Sequence, residues 1–514
     1  MNYLYPSLII SFIIYNLLYL ILLNTHLSAI ELVNDMGQGW NLGNTFESYD
    51  INKKILIPDE QITLWGNMFP KKEMFNKIRK YGFKTIRFPV TWMNFMENSG
   101  KVKEEWMERV KKVVDLIINS NMYCILNIFH DGANGNWLSE GIKSKNKYTF
   151  LWKQISEEFK NYDDHLIFES MNTISFKIGD NYDYKTLLAL TQSFVDIIRE
   201  SGGNNKHRLL LIAGADTNLD LTCSPEYKMP IDPPNKLAIS IHYYLPAQFT
   251  VEKDDDPFTW VDDQGNINYI KSMTTWGSEY QYKDMFTNFE TMKKSFTDKG
   301  IPVILGEVGV LTEQKKEIES IREFLYAEFT MSASYDGIMS CLWDTSNKNF
   351  GDINYYDRDN DKWYDQIIKD NFKKISKRKF INPKDYYVIS NLDSIFNPDP
   401  DGPIYMQIGT KKVMKVILNA NITTNLLYNV GFGIASFDKN KIWIGESISR
   451  NKGKKQYDGS YTFIIDISNR DYNDYIEINK WWGGNLIRFN YLTLEFEQTY
   501  TFFNFKEYKN NAQN

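Results

Sequence analysis

Leu237-Ala238-Ile239-Ser240-Ile241-His242-Tyr243-Tyr244 is almost continuously apolar as far as Ile241 and then ends in an imidazole and two phenols. A strand with one wet face alternates, whereas a run like this belongs to a parallel strand covered by helices. Seven other runs share the character: Gly39-Leu42, Thr85-Val90, Tyr123-Phe129, His165-Asn172, Leu209-Gly214, Val303-Val308 and Ile338-Trp343. Amphipathic segments lie between them, among them Lys71-Tyr81, Lys103-Ser120, Phe150-Lys160, Tyr184-Ser201, Tyr282-Lys299 and Glu313-Phe329. Repetition of strand and helix from about Gln38 to Phe372 predicts an α/β fold, a closed (β/α)8 TIM barrel. The competing architecture, a doubly wound open sheet, has no Gly-rich phosphate loop after its first strand to support it.

The chain has 514 residues, more than one hydrophobic core usually organises, so a second and smaller domain is expected. Asn391 to Pro403 is rich in chain breakers, and beyond it short alternating runs (Val413-Leu418, Lys441-Ile444, Tyr461-Ile467, Leu486-Phe496) predict an all-β sandwich. The expected division is residues 1–29 as a leader, 30–378 as the barrel, 379–404 as a linker and 405–505 as the sandwich. Met1 to Leu23 is almost wholly apolar and precedes Leu27-Ser28-Ala29, which reads as a signal peptide and an exported, extracellular protein. An uncleaved anchor in a membrane, the bulk facing outside, is the other reading of that stretch. Cys124, Cys223 and Cys341 are too few for a disulfide framework or a zinc site and read as buried thiols. A net charge of -6 offers nucleic acid no basic surface, and no metal-ligand cluster or cofactor motif appears. Asn421-Ile422-Thr423 has the pattern of a glycosylation acceptor.

In such a barrel the working residues sit where strands end, on the C-terminal face. The strand ends here supply Arg87, Phe129-His130-Asp131, Asn172-Thr173, His242-Tyr243-Tyr244, Glu307 and Trp343-Asp344. A carboxylate, a guanidinium, an amide, an imidazole, a phenol and an indole facing one cleft suit sugar chemistry. Several blocks resemble glycoside hydrolase family five, particularly its cellulase-like endo-β-glucanase subgroup. They are Gly39-Trp40-Asn41-Leu42-Gly43-Asn44-Thr45, Lys84-Thr85-Ile86-Arg87-Phe88-Pro89-Val90-Thr91-Trp92, Leu166-Ile167-Phe168-Glu169-Ser170-Met171-Asn172, Ile241-His242-Tyr243-Tyr244 and Leu305-Gly306-Glu307-Val308-Gly309.

The resemblance implies roles. Glu307 would be the nucleophile, with Arg87 and Tyr244 holding its carboxylate ionised. Asn172 would bind the sugar 2-hydroxyl, His242 would orient groups near the leaving oxygen, and His130 would contact substrate. Trp343 would form a stacking floor, or else belong to the core. Two positions depart from the pattern. Where the family reads Asn-Glu at the end of strand four, this chain reads Asn172-Thr173, and a hydroxyl is far too weak an acid to protonate a departing sugar oxygen. Where the family reads His-His at strand three, Phe129 stands before His130. Glu169 lies four residues deeper than Thr173, about 13 Å at the strand rise, and cannot substitute. Asp131 and Asp180, in or near the loops on the same face, are the carboxylates that could substitute, and Asp131 reads better as a structural cap.

Three functions compete on these residues. One is a protein that recognises β-glucan or a related plant polysaccharide and has lost hydrolysis or kept little of it. The second is an active retaining β-glycosidase with a substitute proton donor, and the third is a structural or surface-display protein. Trp443, Trp481, Trp482, Tyr457 and Tyr461 in the C-terminal region fit either sandwich packing or carbohydrate binding.

Overall fold

A computed structural model describes residues 27–376, apart from positions 51, 53–54, 56, 134, 180, 254–258, 262–266, 270–271, 278, 313–315 and 348–352, together with strands and adjoining residues between 395 and 504. The apolar N-terminal run, Asp180 and Tyr457 lie outside the described residues. Eight parallel strands close on themselves: β1 (Gly39–Asn41), β2 (Thr85–Phe88), β3 (Tyr123–Asn127), β4 (Leu166–Glu169), β5 (Leu210–Ala213), β6 (Leu237–Tyr243), β7 (Val303–Val308) and β8 (Ile338–Leu342). Each pairs with its neighbours in sequence, and Gly39 beside Cys341 with Trp40 beside Leu342 completes the ring. The expected barrel is therefore the observed one, with strands shorter at their ends than the apolar runs. Those ends leave the ladder to form the rim: Phe129 N–H donates to the Val90 carbonyl at 2.8 Å and Asn172 N–H to that of Ile128 at 2.8 Å.

Why these runs are strands is plain from their burial. All five residues of β3 and all six of β7 are buried, so water reaches neither face. The outward faces of the strands and the surrounding helices, such as Glu104–Ile118 and Tyr184–Glu200, share a large apolar cluster that includes Trp106, Trp152, Phe168 and Phe194. The barrel's underside is closed separately. A short helix, Ala29–Met36, buries Leu32, Val33 and Met36 against Ile125, Ile167, Leu211, Ile304 and Cys341. It begins at a capping box, in which Glu31 N–H donates to Ser28 Oγ at 3.2 Å and Ser28 N–H donates to Glu31 Oε2 at 2.8 Å.

One irregularity positions chemistry. Between β6 and β7, Leu305 lies opposite Ile241 but Glu307 lies opposite His242, so Gly306 is an extra residue in a bulge. A Cβ at Gly306 would meet Ser240 Oγ, Arg87 Nε and His242 Nε2 at 3.2–3.3 Å, so the missing side chain lets a guanidinium lie across the barrel at that level.

The C-terminal region forms two five-stranded antiparallel sheets. One orders Ile395–Phe396, Ile404–Gln407, Tyr475–Trp482, Gly431–Phe437 and Trp443–Arg450; the other orders Lys454–Lys455, Tyr461–Asp466, Val413–Ile422, Ile487–Phe496 and Tyr500–Asn504. Phe432 of the first packs edge-on against Phe463 of the second, ring centroids 4.4 Å apart, both fully buried. The strand Ile395–Phe396 falls within the span read as a linker, because its partner is the next strand rather than the barrel. Lys454 Nζ reaches Ser320 Oγ at 3.0 Å on the outer barrel helix Ile318–Ser332, and Lys415 lies over the Tyr326 ring of that helix. Among the described residues no helix is long and apolar enough to cross a membrane.

Candidate active site

Arg87, fully buried at the end of β2, is the centre of the mouth. Its Nε donates to Glu169 Oε2 at 2.7 Å and its Nη2 to Glu169 Oε1 at 3.1 Å, a two-pronged pair with β4. Its Nη1 donates to Glu307 Oε1 at 2.9 Å and to Asn41 Oδ1 at 3.2 Å, and Nη2 also reaches Asn172 Oδ1 at 2.8 Å. One side chain thus ties β1, β2, β4 and β7 together. Glu169, noted from sequence only as too deep to act as an acid, is Arg87's principal partner, and it is held further by Ser240 Oγ at 2.9 Å and Asn127 Nδ2 at 3.0 Å.

Glu307, in β7, is 8% exposed. Its Oε1 faces Arg87, and its Oε2 accepts from Tyr244 Oη at 3.1 Å and lies 3.5 Å from His242 Nδ1. Burial and the Glu307 charge push the Tyr244 phenol well above its usual range, so it stays a donor. Burial, with Arg87 behind it, pushes the His242 imidazole well below its usual range, so the ring is neutral at pH 7. Asn172 commits its amide oxygen to Arg87.

Thr173 meets the same ring nitrogen of His242 that faces Glu307. Its Oγ1 is 2.7 Å from Thr217 Oγ1 and 3.3 Å from His242 Nδ1, so two hydroxyls and a neutral imidazole form one chain. Thr217 comes from the loop after β5, where Asp216 and Thr217 both have positive φ. Neither residue belongs to a stretch that reads as functional in the sequence. The only hint in the sequence is the polar Asp216-Thr217-Asn218 stretch directly after an apolar run.

The aromatic residues form a second wall. Phe129 stacks on Trp343, centroids 5.8 Å apart and planes 9° from parallel, and Arg87 lies over the Phe129 ring. His130 Nδ1 donates to the Glu47 carbonyl oxygen at 2.7 Å, and the ring packs against those of Tyr49 and Trp65 at 4.8 and 5.6 Å. Asp131 is buried and faces away: Oδ2 accepts from Trp92 N–H at 2.8 Å and Oδ1 from Trp137 Nε1 at 2.7 Å, the cap that its position suggested. Among the described residues no group of His, Cys, Asp or Glu is arranged to hold a metal ion.

Comparison with known proteins gives this geometry a family. Residues 43–349 match the model of the cellulase family, glycosyl hydrolase family 5. The chain is 32% identical over 345 residues to endoglucanase A of Paenibacillus barcinonensis, covering 62% of this chain and 82% of that protein. It is 33% identical over 363 residues to endoglucanase A of Clostridium longisporum, of whose length it spans 65%. Among solved structures, it resembles a broad-specificity endoglucanase from an uncultured bovine rumen ciliate at 62% identity and a TM-score of 0.67, covering 68% of this chain and 98% of that one. A family 5 lichenase from Caldicellulosiruptor sp. F32, solved with cellotetraose, matches at 29% identity and a TM-score of 0.61, with 68% and 96% covered. The eight-stranded barrel, the clasped Glu307 at its mouth and the 307-residue span 43–349 together place the chain in glycosyl hydrolase family 5.

Proposed function

We propose that this chain binds β-glucan in the groove over Glu307 and hydrolyses unactivated glucan weakly or not at all. The observation that carries the reading is Thr173, a hydroxyl bonded to Thr217 and His242, at the position matching the family's proton-donating glutamate. A retaining glycosidase needs one carboxyl to attack and a second to protonate the leaving oxygen. Glu307 with Arg87 and Tyr244 suits the first task. For the second, Glu169 is locked beneath Arg87 and Asp131 faces the Trp92 and Trp137 donors. The neutral His242 keeps one N–H, which is far too weak an acid to protonate a leaving oxygen. Loss of such help costs about 10²- to 10⁴-fold in rate.

Support for the ligand comes from the relatives' endoglucanase and lichenase names, and from the partly exposed rings of Trp343, Tyr49 and Trp65 at this end of the barrel. The apolar N-terminal run supports export to the outside of the cell. The deciding experiment is Thr173→Glu, with reducing-sugar release from barley β-glucan compared with the parent chain. A rise of about 10²-fold or more is expected; an unmodified chain already working at the variant's rate would refute the reading.

A second reading has one specific observation behind it. Asp216 adjoins Thr217 in the chain, and burial raises its carboxyl above the usual range, the direction a proton donor needs. An active glycosidase using Asp216 would lose its glucan hydrolysis in Asp216→Asn, while the first reading expects no change.

A further inference from the structure

The hydrogen bonds beside Glu307 run in one direction, because the last acceptor in the row cannot donate. Thr217 Oγ1 gives its proton to the Asp216 carbonyl oxygen at 2.8 Å. A hydroxyl has one proton, so the 2.7 Å bond between the two threonines uses the proton of Thr173. Thr173 then has none left for His242, and the 3.3 Å contact between them requires a proton on His242 Nδ1. Donation therefore passes from His242 to Thr173, to Thr217, and ends on the main chain. The charges around the imidazole favour the same form. Glu307 Oε2 lies 3.5 Å from Nδ1, where a carboxylate attracts an N–H and repels a lone pair. Nε2 is buried and has no hydrogen-bond partner among the described residues, so a proton there would be an unsatisfied donor. A Cβ at Gly306 would lie 3.3 Å from both Nε2 and Arg87 Nε, and a lone pair facing a guanidinium is the favourable arrangement. Glu169, the third charge felt by the ring, is paired with Arg87.

We propose that Thr217 is a positioning residue for the reaction at Glu307: by accepting the Thr173 proton it holds the neutral His242 in the Nδ1–H form, which keeps an N–H rather than a lone pair beside the attacking carboxylate. The inference rests on the reading that Glu307 attacks. Thr217 itself, 3% exposed, acts only through Thr173 and His242. In the other tautomer the Nδ1 lone pair would push Glu307 Oε2 away from Tyr244 Oη, and a displaced nucleophile loses rate steeply. Valine at 217 keeps the shape of the side chain but cannot accept. The Thr173 proton then turns to His242 Nδ1, 3.3 Å away, and the imidazole proton moves to Nε2. Serine at 217 keeps both the acceptor and the tie to the Asp216 carbonyl.

Nitrogen-15 NMR of the full chain, labelled only at its 5 histidines, reads the tautomer directly, with the His242 signals assigned from a His242→Gln chain. At pH 7 the parent is expected to show Nδ1 protonated and Nε2 as a lone pair. Thr217→Val should shift both signals toward the opposite form, and Thr217→Ser should leave them in place. Stopped-flow release of dinitrophenolate from 2,4-dinitrophenyl β-cellobioside, whose leaving group departs without a proton, measures attack by Glu307. The first-turnover rate is expected to fall about tenfold in Thr217→Val and under about twofold in Thr217→Ser. Lost packing alone would rank the two variants the other way, since valine fills the threonine's volume and serine does not. A parent chain with Nε2 protonated overturns the proposal, and that measurement depends on no variant folding. So does a Thr217→Val chain whose tautomer is unchanged, or whose first turnover is as fast as the parent's or faster. Failure of the underlying reading has a separate signature: a parent chain that releases no dinitrophenolate and forms no cellobiosyl adduct by intact mass removes Glu307 as the nucleophile, and with it the role given to Thr217, whatever the spectrum shows.

Discussion

Replacing Arg87 by methionine tests the mouth of the barrel as a structural unit. The guanidinium is wholly buried and makes five hydrogen bonds at 2.7–3.2 Å, two of them to the equally buried Glu169. Methionine fills much of the stem's volume but leaves Glu169 with only Ser240 and Asn127 as donors. Removing one partner of a buried ion pair typically costs about 3–5 kcal/mol, because the other charge stays desolvated and uncompensated. Arg87→Met is therefore expected to lose about that much in urea unfolding of the barrel, followed by tryptophan fluorescence. Glu169→Gln should be milder, about 1–3 kcal/mol, since Arg87 retains Glu307, Asn41 and Asn172. The double variant removes the stranded charge along with its partner, so it should be more stable than the sum of the single losses predicts, by about 1–3 kcal/mol of coupling. A cost below about 1 kcal/mol for Arg87→Met, or strict additivity in the cycle, would refute the claim that Arg87 and Glu169 fasten the mouth together.

Three further outcomes follow from buried groups. Glu328 is fully buried, accepts one hydrogen bond from Ser340 Oγ at 2.7 Å, and is pushed by burial up to about 8. Its folded value exceeds its unfolded one, so stability should be highest at low pH and fall between about pH 4.5 and 8, by up to ~1.4 kcal/mol per unit, and a Glu328→Gln chain should show a flatter melting-temperature profile over that window. Phe129→Ala removes a buried ring stacked on Trp343 and is expected to cost about 3–5 kcal/mol in chemical denaturation, an effect that a purely groove-facing side chain would not have. Asp131→Asn turns one acceptor toward the Trp92 and Trp137 N–H groups into a donor and should destabilise by about 1–3 kcal/mol, while leaving the affinity for cello-oligosaccharides in gel retardation unchanged.

The barrel was legible in the sequence because parallel strands, dry on both faces, leave apolar runs that need no partner to be recognised. The sandwich was less so. Gly431–Phe437 carries glycine at its first and third positions, which dilutes the alternating pattern on which such strands depend. At the mouth, each residue that stands at its own strand's end could be read from that strand alone, and Arg87, Asn172, His242, Tyr244 and Glu307 do meet there. What could not be read depends on neighbours distant in the chain. The Arg87 pair with Glu169 spans 82 positions, and the Thr173 pair with Thr217 joins two loops. The bulge at Gly306 is a matter of register between strands, which no single stretch encodes.

The helix under the barrel ties the fold to the residues at its own start. Its first turn is satisfied by Ser28, and Ala29 is already buried. Cleavage just after Ala29 would take away both and leave a new ammonium group against the positive end of the helix dipole, a combined penalty of about 1–3 kcal/mol. A chain that keeps Ser28 keeps the seal intact, so one starting at Leu27 should melt several degrees above one starting at Ile30.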